Sequence, residues 1–281
     1  NPLIDSIFIY EDIENDISKL NSSYNVIVDL QNNVRSHRLT KILKAGVHGK
    51  YEKDRVTRFM HIQFGYKGFN QPIKSVPQKY LNAIKPHFPD LKDHGPEFYI
   101  ENSSVEKWDL EKKRYIVIAP GAAHFTKQWP VQNYTDLIKR IQDENDELHV
   151  VLLGGPAEKS TAEIVIESIP NCINLVGETS FDESAAIIEK SEIVICNDSS
   201  IMHLGAALKK KVLVFFGSTT EIFGFYPYTT EYIVMENNDL GCRPCSHIGK
   251  SKCPRHHFKC MTDITSEAAY EAFQKLMERR S

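Results

Sequence analysis

The chain has 281 residues, a formal net charge of −3 and a pI near 6.4. That length suffices for a sizeable core in one large domain or two ordinary ones. The near-neutral balance gives no basic footprint for nucleic acid, no apolar run reaches membrane-spanning length, and the opening Asn1-Pro2 is not a signal peptide. These features point to a cytoplasmic protein, with a peripheral position at a membrane surface left open.

Residues 1–110 read as an amino-terminal domain. Ser6-Ile-Phe-Ile-Tyr10 predicts a strand, Asp16–Leu20 a short helix, and Tyr24-Asn-Val-Ile-Val-Asp-Leu30 a second strand. Val34, Leu39, Ile42 and Leu43 fall on one helical side of Asn33–Leu43. Arg35, Ser36, His37 and Arg38 follow the strand end, where they line a crevice or, more simply, a solvated helix face. Residues 46–75 are weakly patterned, punctuated by Gly46, Gly49, Gly65, Gly68 and Pro72. Val76–Phe88 predicts a helix that Pro86 and Pro89 bring to an end. The charged stretch Glu106–Arg114 marks the domain junction.

Residues 111–281 alternate strand and helix. Tyr115–Ala119, Leu148–Leu153, Ile173–Val176, Ile193–Asn197, Lys211–Phe216 and Glu231–Met235 predict strands. Pro130 suits a helix first turn, with Tyr134, Leu137, Ile138 and Ile141 following at helical spacing. Thr161, Ile164 and Val165 mark another helix, and Ser180 with Glu183 forms a capping box. Thr265–Arg280 predicts an amphipathic closing helix. Uniformly apolar strands between helices imply a doubly wound parallel α/β sheet.

The stretch Ile193-Val-Ile-Cys-Asn-Asp-Ser-Ser-Ile-Met-His203 organises this half. Asn197, Asp198, Ser199 and Ser200 fall at the carboxyl end of a strand, where such sheets bind ligands. A helix starting there offers free N–H groups and a positive dipole end to a phosphate or diphosphate. Ordinary helix capping accounts for the same residues. His203, one turn further on, reads equally as a satisfied buried histidine. No Gly-x-Ser-x-Gly elbow or phosphate-binding Gly-x4-Gly-Lys-Ser/Thr loop is present.

Five motifs in order carry a resemblance. Pro120-Gly-Ala-Ala...Lys127-Gln-Trp-Pro130, Leu153-Gly-Gly-Pro156, Leu175-Val-Gly177, Asn197-Asp-Ser-Ser-Ile-Met-His203 and Phe216-Gly-Ser-Thr219 resemble those of the ADP-heptose:lipopolysaccharide heptosyltransferase family, glycosyltransferase family 9. Asn1-Pro-Leu-Ile-Asp5 and Asp29-Leu-Gln31...Arg35-Ser36 extend it weakly to the start. The resemblance implies a GT-B architecture, two Rossmann-like domains facing across a cleft. It implies metal-independent, inverting transfer of heptose from ADP-heptose to a lipopolysaccharide inner-core or related acceptor at the inner membrane surface. By the same resemblance Asp198, Ser199, Ser200, His203 and Gly121 contact the donor, and Lys127 neutralises the departing diphosphate. Gly177 and Thr179 border the adenine, and Glu158 meets the ribose. The family's opening strand and Gly-Asp turn, with the aspartate expected to act as general base, have no counterpart here. The resemblance therefore implies an amino-terminal domain lacking its first βαβ unit, and the catalytic base is left unassigned. The alternative is a nucleotide- or glycan-binding protein of the same fold without turnover.

The six cysteines do not suggest a secreted disulfide framework. Cys172 and Cys196 lie in or beside apolar strands, whereas Cys242, Cys245, Cys253 and Cys260 cluster late, in a segment similar to a cysteine-bearing stretch of the family. Their Cys-x2-Cys-x7-Cys-x6-Cys spacing, with His247, His256 and His257 nearby, is open to a structural zinc or iron clip, to reduced packing residues, or to disulfides after oxidation. Four thiolate ligands would leave no open position for catalysis. The basic residues Arg243, Lys250, Lys252 and Arg255 make the loop attractive to an anionic surface.

Overall fold

The computed structural model describes residues 1–20, 23–65, 73–101 and 105–279. Contacts divide the chain into two compact units, one of Asn1–Thr57 with Lys74–His94 and one of Arg58–Ile73 with Gly95–Ser281. In the first unit α1 (Tyr10–Asn15) precedes β1 (Ser23–Asp29), α2 (Val34–Ile42), β2 (Lys44–Lys50), the start of α3 (Arg55–Phe64) and α4 (Val76–Asn82). The strands β1 and β2 pair in parallel, with Val26 opposite Val47 and Asp29 opposite Lys50. Helix α2 starts on a capping box of Asn33 and Ser36, which satisfies two otherwise orphaned N–H groups. Gly49 lets β2 approach α4 closely, since an added Cβ would meet the Ala83 carbonyl oxygen at 2.6 Å.

The second unit is built on a six-stranded parallel sheet in the order β5-β4-β3-β6-β7-β8. Its strands are β3 (Arg114–Ala119), β4 (Leu148–Leu152), β5 (Ile173–Asn174), β6 (Ile193–Asn197), β7 (Lys211–Phe216) and β8 (Tyr232–Glu236). This is the 3-2-1-4-5-6 order of a Rossmann sheet, and the strand order reverses between β3 and β6. Alternate residues feed two cores, as strand geometry requires. Ile116, Ile118, Ile195, Leu213 and Phe215 pack under α5 (Val131–Glu144), α6 (Lys159–Ser168) and α10 (Ser266–Glu278). Tyr115, Val117, Val194, Val212 and Val214 pack under α7 (Phe181–Lys190) and α8 (Ser200–Ala207). Each such side chain contributes roughly 1.5–3 kcal/mol by burial. Helix α9 (Lys259–Thr262) leads into α10.

Three sequence expectations change in the first third. Ser6–Tyr10 is not a strand: Ile7, Phe8 and Ile9 are exposed and a helix begins at Tyr10. Local propensity makes a strand only beside an edge to pair with, and no described strand pairs with these residues. The weakly patterned stretch holds both β2 and α3, because Gly46 and Gly49 are strand residues here, not turn punctuation. Helix α4 stops at Asn82, well before Phe88, and turns occupy the residues ahead of Pro86. Gly68, Pro72 and Arg280 lie outside the described residues.

Candidate functional site

The site is assembled where β3 and β6 part. Asn197 ends β6 and is fully buried. Its amide donates to the carbonyls of Pro120 and Gly121 at 2.8 and 3.1 Å, and its oxygen accepts the Trp129 N–H at 2.9 Å. One side chain thus fixes the loop after β3 against the end of β6. That loop carries Lys127, whose Nζ lies 2.8 Å from Asp198 Oδ2. The same oxygen accepts the Thr219 hydroxyl at 2.8 Å. The side chains of Lys127 and Asp198 are only 14% and 4% exposed, so the pair is little screened by water.

Helix α8 begins immediately after Asp198, with Ser199 as its N-cap. Ser199 makes no side-chain cap bond, and its hydroxyl is shielded from solvent with no hydrogen-bond partner among the described residues. The first N–H groups of α8 therefore lack the side-chain acceptor that a capping serine usually supplies. An anion at this position gains both those donors and the dipole end. His203, one turn on, is exposed to solvent. Loss of hydration lowers its pKa first; Asp198 opposes that shift and Lys127 adds to it.

Glu158 stands on the other side of Gly121. Three glycines set its place: its carboxylate accepts the Gly155 N–H at 2.8 Å, and a Cβ on Gly121 or Gly154 would collide with it. Burial raises its pKa, with the Gly155 bond opposing. Gly177 completes this corner: its φ of +74° is a glycine conformation, and its N–H donates to Gly154 at 2.9 Å. Thr179 turns away to share a 2.8 Å hydrogen bond with Ser184.

The expected residues thus form two neighbouring groups, Lys127, Asp198, Ser199, Ser200 and His203 beside Gly121, Glu158 and Gly177. Thr219 was given no role from sequence, and Asn197, placed by sequence at the ligand-binding strand end, instead ties the loop after β3 to β6. Thr219 lies in the quoted Phe216-Gly-Ser-Thr219 motif, and a polar turn after a buried strand is the signal that marks it.

The four cysteines do not fit a shared ion. Cys242 Sγ meets His257 Nε2 at 3.6 Å. Cys253 resists the rise that burial imposes because backbone N–H groups of Arg255, His256, His257 and Phe258 hold its thiolate, and its pKa is lowered. Burial pushes the Cys260 thiol up to about 11. Among the described residues no three His, Cys, Asp or Glu side chains are placed to hold one metal. A zinc or iron clip at Cys242, Cys245, Cys253 and Cys260, one of the readings the sequence left open, has no such ligand set among the described residues, although the four thiols lie near enough to act electrostatically on one another.

The first unit has a cavity of its own, about 430 Å³, beyond the carboxyl ends of β1 and β2. Asn32, Asn33, Val34, His37, Lys53 and Arg55 line it. Of the four residues singled out on α2, only His37 reaches it; Arg35 points to Glu11 and the Tyr10 ring.

Comparison with known proteins follows the same lines. The family model for glycosyltransferase family 9 (heptosyltransferase) matches residues 17–256. The chain is 27% identical over 202 residues to lipooligosaccharide heptosyltransferase 2 of Campylobacter jejuni, covering 70% of this chain and 60% of that protein. It is 27% identical over 176 residues to lipopolysaccharide heptosyltransferase 2 of Escherichia coli, covering 60% and 47%. The match thus spans about half to three fifths of these relatives' length. Among solved structures, a family 9 glycosyl transferase of Veillonella parvula superimposes with a TM-score of 0.71 at 18% identity, covering 95% of this chain and 77% of that one. The E. coli ADP-heptose lipopolysaccharide heptosyltransferase II gives 0.64 at 18% identity, with 95% and 80% covered. An E. coli heptosyltransferase solved with ADP gives 0.64 at 16%, with 95% and 77% covered. The structural likenesses show the α/β fold of the GT-B type, and the family match over most of the chain shows that it belongs to glycosyltransferase family 9.

Proposed function

We propose that this chain is a glycosyltransferase that takes ADP-heptose in its second unit and transfers the heptose, with inversion and without a metal, to an anionic acceptor of the lipopolysaccharide-core class. The observation that carries the reading is the Lys127–Asp198–Thr219 constellation at the open N-terminus of α8. It lies at the switch point of a Rossmann sheet, where nucleotides bind. A similar E. coli heptosyltransferase was solved with ADP.

As the bond from the anomeric carbon to the diphosphate breaks, negative charge grows on the leaving ADP. The Lys127 ammonium and the first amides of α8 stabilise that charge, since both are already fixed in place and poorly hydrated. Asp198 holds the ammonium in position before the donor arrives, and Thr219 holds Asp198. His203 gives one further ring N–H to the donor. Glu158 takes the ribose hydroxyls, and the turn of Gly177–Ser180 borders the adenine. The acceptor hydroxyl needs a positioned base for rate, a role assigned to no residue here. The first unit's cavity suits an acidic group of the acceptor, because neither Lys53 nor Arg55 is neutralised by an ion pair among the described residues. Such acceptors sit in a membrane, so the protein works at the inner-membrane surface from the cytoplasmic side; no described helix is long and apolar enough to cross one.

Calorimetric titration with ADP, and with UDP as control, tests the donor half. The proposal expects preferential ADP binding that falls at least about tenfold in Lys127→Ala, the loss of a charge-assisted contact. Equal binding of both nucleotides, or of neither, contradicts it. Release of ADP from ADP-heptose only when acceptor is present then separates transfer from binding without turnover.

A further inference from the structure

Arg243 lies inside the turn that follows β7, its side chain 3% exposed. A guanidinium so deeply buried is costly unless all its donors are satisfied, and here they are. Nε donates to the Gly217 carbonyl at 2.5 Å. Nη2 donates to the carbonyls of Phe216 and Thr219 at 3.2 and 2.9 Å and to Glu236 Oε2 at 2.8 Å. Nη1 donates to the Asn237 carbonyl at 2.7 Å and Asn238 Oδ1 at 3.1 Å. One planar fork therefore joins three carbonyls of the 216–219 turn to the end of β8, which a lysine with its single nitrogen cannot do.

That turn is also the support of the candidate site. Thr219 is fully buried, and its hydroxyl reaches the same Asp198 oxygen that pairs with Lys127. Ser218 accepts the Cys245 N–H at 3.2 Å and donates its own N–H to Thr126 at 3.1 Å. Thr126 immediately precedes Lys127. Gly217 leaves no slack between these layers: an added Cβ would stand 2.5 Å from the Thr126 carbonyl oxygen.

We propose that Arg243 is a positioning residue for the donor site, fixing the Phe216–Thr219 turn so that Thr219 orients the Asp198 carboxylate toward Lys127. The proposal rests on the reading of Lys127 and Asp198 as donor-diphosphate residues. Arg243 does not touch the donor; it acts through Thr219.

Two measurements on Arg243→Lys, Thr219→Val and the double variant test this. The first is the rate of reductive dimethylation at Lys127, read by mass spectrometry without any nucleotide. Each single substitution loosens the Asp198 anchor and raises that rate about fivefold, the size of one buried hydrogen bond. The double variant shows no more than the singles, because both act on one link. Lys210, whose Nζ bonds the Glu189 carbonyl at the opposite end of the sheet, keeps its wild-type rate. The second measurement is ADP affinity, which falls by a similar factor in all three proteins. An unchanged Lys127 rate in Arg243→Lys, effects that multiply in the double variant, or equal acceleration at Lys210 overturns the proposal. Coupled labelling with no ADP binding by the wild type overturns the donor reading and leaves the positioning role standing. If Arg243→Lys does not fold, Glu236→Gln loosens the same fork, and acceleration at Lys127 but not Lys210 decides the question in the same way.

Discussion

Replacing Lys127 by methionine isolates what the buried pair does. The substitution keeps most of the stem's volume but leaves the Asp198 carboxylate, 4% exposed, with the Thr219 hydroxyl and no counter-charge. Breaking a buried pair from one side typically costs about 3–5 kcal/mol. Lys127 is itself 14% exposed, so water reaches its end of the pair and the lower part of that range applies. For a chain of this size about 3 kcal/mol corresponds to a loss of roughly 6–12 °C in Tm. Adding Asp198→Asn removes the stranded charge while keeping an oxygen for Thr219, and should restore most of the lost stability. ADP affinity should not return with it, because the ammonium that meets the diphosphate is still missing. Thermal unfolding followed by circular dichroism, with calorimetry on wild type, the two single variants and the double variant, separates the two effects. Additive losses in the double variant would refute the buried-pair argument, and full ADP binding by Lys127→Met would refute the role given to the ammonium.

Four further outcomes follow from the site and its surroundings. In proton NMR the His203 ring should titrate below its ordinary value of about 6.5, with Lys127→Ala moving it up and Asp198→Asn moving it further down. Its depressed pKa means that the folded state loses stability as pH falls through that value; in His203→Gln the decline of Tm between neutral pH and pH 5 should be shallower. The raised pKa of Glu158 has the opposite sign, its stability contribution being lost as pH rises. Glu158→Gln should therefore unfold no earlier than wild type at pH 7.5, while no longer distinguishing ADP from its 2′-deoxy analogue in calorimetry. Gly217→Ala should lower stability by about 1–3 kcal/mol in urea unfolding, the usual cost of overpacking. Pulsed alkylation at pH 7.5 should label Cys253 ahead of Cys245 and Cys260, since backbone N–H groups hold its thiolate while burial raises the other two.

The second unit was legible because its physics is local and repeated. Buried strands such as Ile193–Asn197 and Lys211–Phe216 are apolar but for a polar residue at one end, and each is separated from the next by a helix with a period near 3.6. Such a pattern admits few topologies. The site residues were legible for a related reason: Asp198 and Lys127 follow strand ends, and a parallel sheet brings those ends together. Arg243 and Thr219 were not legible, because their meaning lies in contacts across the fold, such as the fork from residue 243 back to 216–219. The first unit misled for want of pattern. Its strand β2 alternates exposed and half-buried residues around two glycines, which a reading of turn signals mistakes for loop. The apolar run Ile7–Ile9 shows the converse, since hydrophobicity without a pairing edge makes no strand. Four thiols within nineteen residues invite a metal, and they do gather near one another, yet among the described residues no three His, Cys, Asp or Glu side chains are placed to hold one.

The central claim is that the head of α8, with Lys127 and Asp198, receives the donor diphosphate. Its most direct test is an ADP titration of 15N-labelled protein, following the backbone amides of Ser199–Met202 and the Lys127 side-chain ammonium together. The account expects these signals to shift furthest, in one saturating process, and the amide shifts to be lost in Lys127→Ala at the same ADP concentration. Saturable ADP binding that leaves the α8 amides and Lys127 unmoved would place the nucleotide elsewhere and contradict the assignment.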